Sequence, residues 1–518
     1  MRGPSSVWHV AREYAGLAEA GGVKDVVRGL AEALARSGVP TTAVIPLYGF
    51  FPPALDRGQK IAEFSLSLPD QDRQNEFFSE PVRVFSSDLS GVRLLLVESP
   101  RYSALRDVYT YTAADETDNH WRKKGTGHWD SHQLNIILQR AALETALRIG
   151  ERPAVYHCHD GHTSFLPALM REDAAYRAWF RGTTAVVTIH NAGKGYHQDV
   201  WSREFARLLT GLPDQVLEKG MLAGAVDPLL LAGSYASLVT VSEQYARELL
   251  SEEKDEMSGG LGKALRERGI PLEGITNGLD PAPWDPRHPA RAGLPSAFDP
   301  SSGDLQGKRV CRKVLAQKLG MLARADGLPL YAFVGRLTGQ KGVDVLFHAM
   351  KEILPRESSP MFVVLGTGEK EKEDMISWLA AREDSGGRLA FVPRYDPPFA
   401  QLIYAASDFF LVPSAYEPCG LTDFIAQILG SIPVVHRVGG LVKIRDGETG
   451  FSYREQTPDA LRAAIERTAG LTRIDPGLLE RIRRTAFSEI FARHTWDRVL
   501  ADGYLPFYER AAATWTRK

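Results

Sequence analysis

Short apolar runs alternate with amphipathic stretches along most of the chain, the pattern of parallel strands joined by crossover helices. In the first half, Val23, Val26, Val27, Leu30 and Leu34 share one helical face, and Gly38 is placed to end that helix before the strand TTAVIPLY. Leu134, Ile137, Leu138, Ala141 and Thr145 mark a second helix closing at Gly150, followed by the buried strands AVYH and TTAVVTIH. LVTV ends this region, with Ser242 placed to cap the helix after it. The second half repeats the theme through PLYAFVG, a helix using Val343, Leu346, Phe347 and Met350, and then MFVVLG, RLAFVP, DFFLVP and IPVVH. The polar stretches around Asp70–Glu80 and Ser251–Gly262 read as surface loops.

The expected architecture is α/β, with two doubly wound Rossmann-like domains whose strand C-terminal ends face a central cleft. Between Asp285 and Gly327 the composition shifts to Pro, Arg, Ser, Gly and Asp, which reads as a linker with a short helical piece. The expected divisions are 1–284, a linker 285–327, 328–485, and a helical tail 486–518. Trp496, Leu500, Tyr504 and Phe507 give that tail enough apolar bulk to pack against a domain.

Composition narrows the function. The chain has 518 residues, 44% hydrophobic and 24% charged, enough for sizeable cores. Sixty-two Lys plus Arg against 64 Asp plus Glu leave a formal charge of −2, too balanced for a dedicated nucleic-acid or anionic-membrane binder. Cys158, Cys311 and Cys419 show neither disulfide nor zinc spacing, which fits a reducing compartment, by default the cytoplasm. No apolar run is long enough to span a membrane, and the opening MRGPSSVWHVAREYAG lacks a signal-peptide pattern, so a soluble, untargeted protein is expected.

Candidate chemistry lies at the strand ends. VGRLTGQKG sets Arg336 and Lys341 around a glycine-containing turn at a helix start, where backbone N–H groups and two cations suit phosphate; the plain alternative is a solvated basic loop. SAYEPCGLT places Glu417 in the loop after a strand, where a carboxylate can accept hydroxyl hydrogen bonds from a sugar; an ordinary loop Glu is the bland reading. Cys419 reads as a small packed residue. Gly439 and Gly440 follow the strand IPVVH, either as a turn or to let backbone approach a ligand. Gly366 and Gly368 in LGTGE lack the third glycine of a dinucleotide fingerprint. In VYHCHDGHTS, His157, His159, His162 and Asp160 cluster at a strand end. A metal reading is weighed there, but side chains on an extended segment alternate in direction, and the preferred reading has one histidine facing the cleft and the others structural. VTIHNAG adds His190 and Asn191, and EAGGVKDV adds Gly21, Gly22 and Asp25 at another strand-to-helix junction.

Together these motifs resemble glycosyltransferase family 5, the bacterial glycogen and plant starch synthases, almost end to end. HCHDGH is similar to the family's H-x-H-D-W-H, and TIHN, ITNGLD, VGRLTGQKG and EPCGLT match its segments in order and spacing. The resemblance implies the two-domain GT-B fold and retaining transfer of glucose from ADP-glucose to the non-reducing end of an α-1,4-glucan such as glycogen. It implies no metal and no cofactor. By motif, Arg336 and Lys341 hold the donor diphosphate, Glu417 sits at the transferring glucose, and His159 hydrogen-bonds that sugar from the opposite domain. Asp25, Asn277, His190, Asn191, Gly21 and Gly22 line the same pocket. Cys419, Gly420, Leu421, Thr422, Gly439 and Gly440 supply close contacts to sugar or phosphate. Tyr395 in RYDPPF matches the aromatic that stacks on adenine, and Asp118 and Asn119 match a D-N segment near the cleft.

Two positions depart from the pattern. Where the family has K-T-G-G-L, this chain has Glu19-Ala20-Gly21-Gly22-Val23, so an anion replaces a cation. Repulsion of a diphosphate there lowers affinity unless Glu19 turns away or Lys24 or Arg12 supplies the charge. Gly161 replaces the Trp of H-D-W-H, removing bulk behind the histidine. The alternatives are a UDP-glucose-using glucosyltransferase and a catalytically weak glucan-binding homologue.

Overall fold

A computed structural model describes residues 3–52, 55–71, 73, 76–251, 255–321, 327–356 and 358–515. The chain forms two compact units, one built from Met1–Gly278 with Trp496–Lys518 and the other from Leu279–Thr495.

The first unit carries a nine-stranded sheet. Its strands run, from one edge, Leu272–Gly274, Ser237–Thr240, Thr184–Ile189, Val155–His159, Val7–Val10, Thr41–Pro46 and Val92–Glu98, all parallel, then Phe77–Leu89 and Gln59–Pro69, both antiparallel. The first strand in sequence lies inside the sheet; the next four fill one side of it, from Gln59–Pro69 at the edge back to Val92–Glu98 beside Thr41–Pro46, and the later strands extend the other side. The order therefore reverses between Val7–Val10 and Val155–His159, and the carboxyl ends flanking such a reversal are where ligands of open α/β sheets bind. Thr41–Pro46, Val155–His159 and Thr184–Ile189 are buried at every residue, as parallel strands covered on both faces are. The segment Phe77–Leu89 departs from the expected loop over Asp70–Glu80. Its polar residues alternate with the buried Glu80, Val82 and Val84, as on a sheet with one wet face. Of the second expected loop, Leu261–Glu267 is helical, while 252–254 lie outside the described residues.

The second unit has six parallel strands ordered Leu389–Val392, Met361–Leu365, Leu330–Val334, Phe409–Val412, Ile432–His436 and Phe451–Tyr453. Side-chain alternation divides its core in two. Leu330 and Ala332 join one buried cluster with Met361, Val363 and Phe410, while Tyr331 and Phe333 join the other with Phe362, Val364 and Phe409. Here the order reverses between Leu330–Val334 and Phe409–Val412, whose carboxyl ends lead directly into Arg336 and Glu417.

The stretch expected as a linker with a short helical piece holds the helix Gln306–Leu319, and it is no linker there: Cys311, Leu315 and Ala316 are buried in the second unit's core. The expected tail boundary at 485 also moves, because Pro476–Arg493 is one helix that packs Phe487 and Ile490 against Phe424 and Ile428. Beyond it, Trp496, Leu500, Tyr504 and Phe507 return to the first unit and pack with Val7, Leu30, Val155 and Val239. Trp496 needs Gly29, where an added Cβ would lie 2.0 Å from its ring nitrogen. Where the chain leaves the first unit and returns to it, the two passages run side by side, with the Leu279 N–H donating to His494 O at 2.8 Å.

Candidate active site

In the second unit, the strand Leu330–Val334 ends at Gly335 and Arg336, and a short turn, Gly339–Lys341, leads into the helix Val343–Ile353. Gly342 joins turn to helix at φ 71°, and an added Cβ would lie 1.9 Å from Pro413 O, so only glycine brings this turn against the neighbouring strand end. That contact delivers Lys341 to Glu417. The Glu417 Oε2 accepts from Lys341 Nζ at 2.7 Å and from Ser414 Oγ at 2.9 Å. Burial alone would raise the Glu417 carboxyl, but the Lys341 charge and hydrogen bond, together with Ser414, outweigh it and leave the group below its ordinary range, ionised at neutral pH. Arg336 is exposed and its side chain makes no hydrogen bond or ion pair among the described residues. One cation thus fixes the carboxylate, and a second stands ready for an anion.

Gly439 and Gly440 also lie here, and the packing of the loop itself requires them. An added Cβ on either would come within 2.1 Å of Glu417 O or Cys419 O, and Gly440 N–H donates to Glu417 O at 2.9 Å. The two glycines let one backbone press against the loop that carries Glu417. Cys419 is buried, Gly420 takes φ 75°, and Leu421 and Thr422 lead into the helix Thr422–Ile428. Tyr395 is 81% exposed, a ring face open to a stacking partner. A cavity of about 690 Å³, lined by Lys318, Arg394, Asp396 and Phe399 among others, lies beside Tyr395 in sequence but includes none of the residues around Glu417.

In the first unit, His159 ends the strand at the point of reversal. His159 is buried, and both ring nitrogens are taken: Nε2 lies 3.0 Å from His9 Nδ1 and Nδ1 lies 3.0 Å from His190 Nε2. His157 bonds Tyr508 and Thr188 at 2.8 and 2.6 Å. Burial keeps these imidazoles neutral, lowering His9 and His190 to about 3 and His157 and His159 well below the ordinary value. Nitrogens of His9, His157 and His159 lie within 4.8 Å of one another, the spacing of a metal site. Their planes, however, are only 19° to 35° apart, and an imidazole ligates through an in-plane lone pair, so stacked rings direct those pairs side by side rather than to one point. The expected direct hydrogen bond from His159 to a sugar finds no vacant ring nitrogen in this arrangement, and His190 is the more exposed ring.

Asp160, weighed in the sequence only as one of a metal-binding group, has a different part. Its Oδ1 accepts the His190 N–H at 2.7 Å, tying two strand ends together, while its backbone sits at φ 58°, ψ −179°, a strained conformation of the kind held at functional sites. Sequence reasoning missed Glu13. It is buried and its carboxylate accepts from Ala20 N, Gly21 N and the Tyr109 hydroxyl, holding the glycine loop in place. Gly21 and Gly22 are exposed, and a Cβ on Gly22 would meet nothing within 4 Å, so no contact of the unit itself demands glycine there. Asp25 is held by Lys24 at 3.1 Å. Asn277 is buried, and its Oδ1 has no hydrogen-bond partner among the described residues. Asn191 caps Gly193 N at 2.8 Å, and Asp118, next to Asn119, pairs with Arg106 at 2.6 Å at the end of a short helix.

The departures from the expected pattern resolve physically. Glu19 does turn back, accepting the Gly16 N–H at 2.7 Å. Arg12 cannot replace the lost cation, because it is buried and donates to Tyr48, Asn135 and Val108 O. Gly161 leaves no hole: an added Cβ would lie 2.0 Å from His197 O, so backbone occupies the space.

No helix among the described residues is long and apolar enough to cross a membrane. The family model of the starch synthase catalytic domain matches residues 6–267, and that of glycosyl transferases group 1 matches 329–470. The glycogen synthase of Aeromonas salmonicida is 30% identical over 500 residues, spanning 94% of this chain and 95% of that protein. The glycogen synthase of an Anaeromyxobacter species is 35% identical over 473 residues, 88% and 90% of the two chains. Among solved structures, the catalytic domain of starch synthase IV from Arabidopsis thaliana, bound to ADP and acarbose, superposes over 100% of both chains with a TM-score of 0.78 at 26% identity. Matches of this length on both halves, with the donor-type residues gathered at a sheet reversal, show that the chain belongs to the glycogen and starch synthases of glycosyltransferase family 5, GT-B enzymes that pass a glucosyl unit from a nucleotide sugar to a glucan.

Proposed function

We propose that the donor is ADP-glucose, that the acceptor is the non-reducing end of an α-1,4-glucan, and that transfer retains the anomeric configuration. The observation that carries the reading is the Lys341–Glu417 pair, 2.7 Å apart at the sheet reversal, with the exposed Arg336 in the same strand-end turn. Arg336 and Lys341 take the diphosphate and neutralise the charge that develops as ADP leaves. Glu417, kept ionised, accepts from glucose hydroxyls, and its negative charge favours an electron-poor anomeric carbon. Tyr395 stacks on the adenine; Leu421 and Thr422 meet sugar or phosphate. ADP bound to the related starch synthase IV domain supports the same choice of nucleotide.

The sequence shows no carboxylate pair of the kind a double displacement uses, which favours departure and attack on one face. The bond from C1 to the β-phosphate oxygen breaks on the same face that the acceptor O4 attacks, and the departing phosphate takes the O4 proton. In the first unit, Asn277, His190, Asn191, Asp25, Gly21 and Gly22 supply hydroxyl-binding groups and open backbone suited to a glucan. The test is product formation from radiolabelled ADP-glucose and UDP-glucose with glycogen, with controls lacking acceptor. Label entering glycogen from ADP-glucose, with free ADP released in equal amount, is expected. Glycogen binding without ADP release, or transfer from UDP-glucose alone, would overturn it.

A further inference from the structure

We propose that Lys443 is a positioning residue for the donor site, its ammonium buried against Asp423 and holding the Glu417–Gly420 loop by two backbone carbonyls. The inference rests on the donor-site reading above. Lys443 ends the turn Gly439–Lys443 that follows the strand Ile432–His436. Its Nζ donates to Gly420 O at 2.6 Å and to Cys419 O, and lies 3.1 Å from Asp423 Oδ2. It also sits 4.3 Å from the centre of the Phe424 ring. An ammonium has three protons and no acceptor, so two carbonyls and one carboxylate fill its bonding capacity.

Burial makes the arrangement specific. The Lys443 and Asp423 side chains are 10% and 0% exposed, and among the described residues Lys443 is the one cation paired with Asp423. Without Lys443 that carboxylate would have no cation beside it, and burial would drive it toward the protonated form. Together with the Gly440 N–H to Glu417 O, the turn grips the loop at residues 417, 419 and 420, immediately beside the carboxylate that Lys341 orients. Lys443 thus acts through the loop, and its charge adds to that of Lys341 in keeping Glu417 ionised.

The test compares the full-length protein with Lys443→Met and with the double variant Asp423→Asn/Lys443→Met. The single variant strands a buried charge and can fail to fold. The double variant removes both charges and keeps the core closed, but leaves the two carbonyls without their donor. Each is measured for melting temperature, for ADP-glucose and glycogen kinetics, and for amide hydrogen exchange of residues 414–422. A double variant that melts near wild type is expected to lose turnover by at least tenfold, because small misplacement of reacting groups is expensive in rate. Its KM for glycogen should stay unmoved while loop exchange accelerates. Wild-type turnover and wild-type exchange in that variant would overturn the proposal. If the wild-type protein transfers nothing from ADP-glucose, the donor reading fails separately, and loop exchange still decides the role of Lys443: acceleration supports it and unchanged exchange refutes it.

Discussion

Replacing Lys341 by Met separates two consequences of one contact. Lys341 and Glu417 are 23% and 10% exposed, so the pair is largely but not wholly dry. Removing one partner of a buried pair strands the other, a loss of about 3–5 kcal/mol, and the partial access of water at Lys341 reduces this to about 2–4 kcal/mol. Ser414 Oγ, a donor at 2.9 Å, and the charge of Lys443 remain, each opposing burial by less than burial acts. The pH dependence then changes sign. In the wild type, Glu417 lies below its ordinary 4.5, so its contribution is present above that pH and is lost as pH falls through the lowered value. In the variant, burial is the dominant influence and raises the group, so stability is instead lost as pH rises through the new value. Urea unfolding at pH 4, 6 and 8 reads the first effect. Steady-state transfer from ADP-glucose reads the second, expected as a fall in kcat of roughly 10²–10³-fold, comparable to loss of one charge-stabilising donor in other enzymes. A Lys341→Met protein with wild-type turnover and an unchanged stability profile would refute the argument.

Arg336→Ala should leave stability within about 0.5 kcal/mol, since the side chain is exposed and unpaired among the described residues, while ADP affinity measured by calorimetry falls about tenfold or more. Asp160 is raised by burial from 3.8 to about 7, so the folded protein loses stability as pH rises across that window, by an amount of order 4 kcal/mol at most. Asp160→Asn keeps an acceptor for the His190 N–H and should be flat over the same range and more stable at pH 8; an unaltered slope in urea titrations would count against this. Gly161→Ala should destabilise by about 1–3 kcal/mol or more, because its Cβ meets the His197 carbonyl rather than a movable side chain, and a thermal melt equal to wild type would contradict the packing.

How much was legible in the chain follows from the range of the interactions involved. Strands buried on both faces announce themselves as unbroken apolar runs, so Thr41–Pro46, Met361–Leu365 and Phe409–Val412 fall where the pattern puts them. The helix Val23–Arg36 and the Ser242 cap on Glu243–Leu249 were likewise written in residues three or four apart. Phe77–Leu89 was hidden because it has one wet face and a polar approach, while Gln306–Leu319 was legible as a short helical piece but its place in the core was not, because Pro and Gly flank it in sequence. Glu13 looked like an ordinary acid and Asp160 like one of a metal-binding group; only their backbone partners, in the glycine loop and at a neighbouring strand end, mark them as supports of the site.

By itself, the sequence determined the two doubly wound halves, the placement of chemistry at strand ends, and the identity of Arg336, Lys341 and Glu417 as the charged residues there. The period of a strand or helix is set within a few residues, and that much a chain displays openly. Tertiary structure alone decided that Lys341 reaches Glu417, that Arg12 is spent on Tyr48 and Asn135, that backbone fills the space beside Gly161, and that Trp496 returns to Gly29. Each of these is a contact between segments far apart along the chain, and which of them form is fixed by packing and by the need to pair buried charge, neither of which has a local signature.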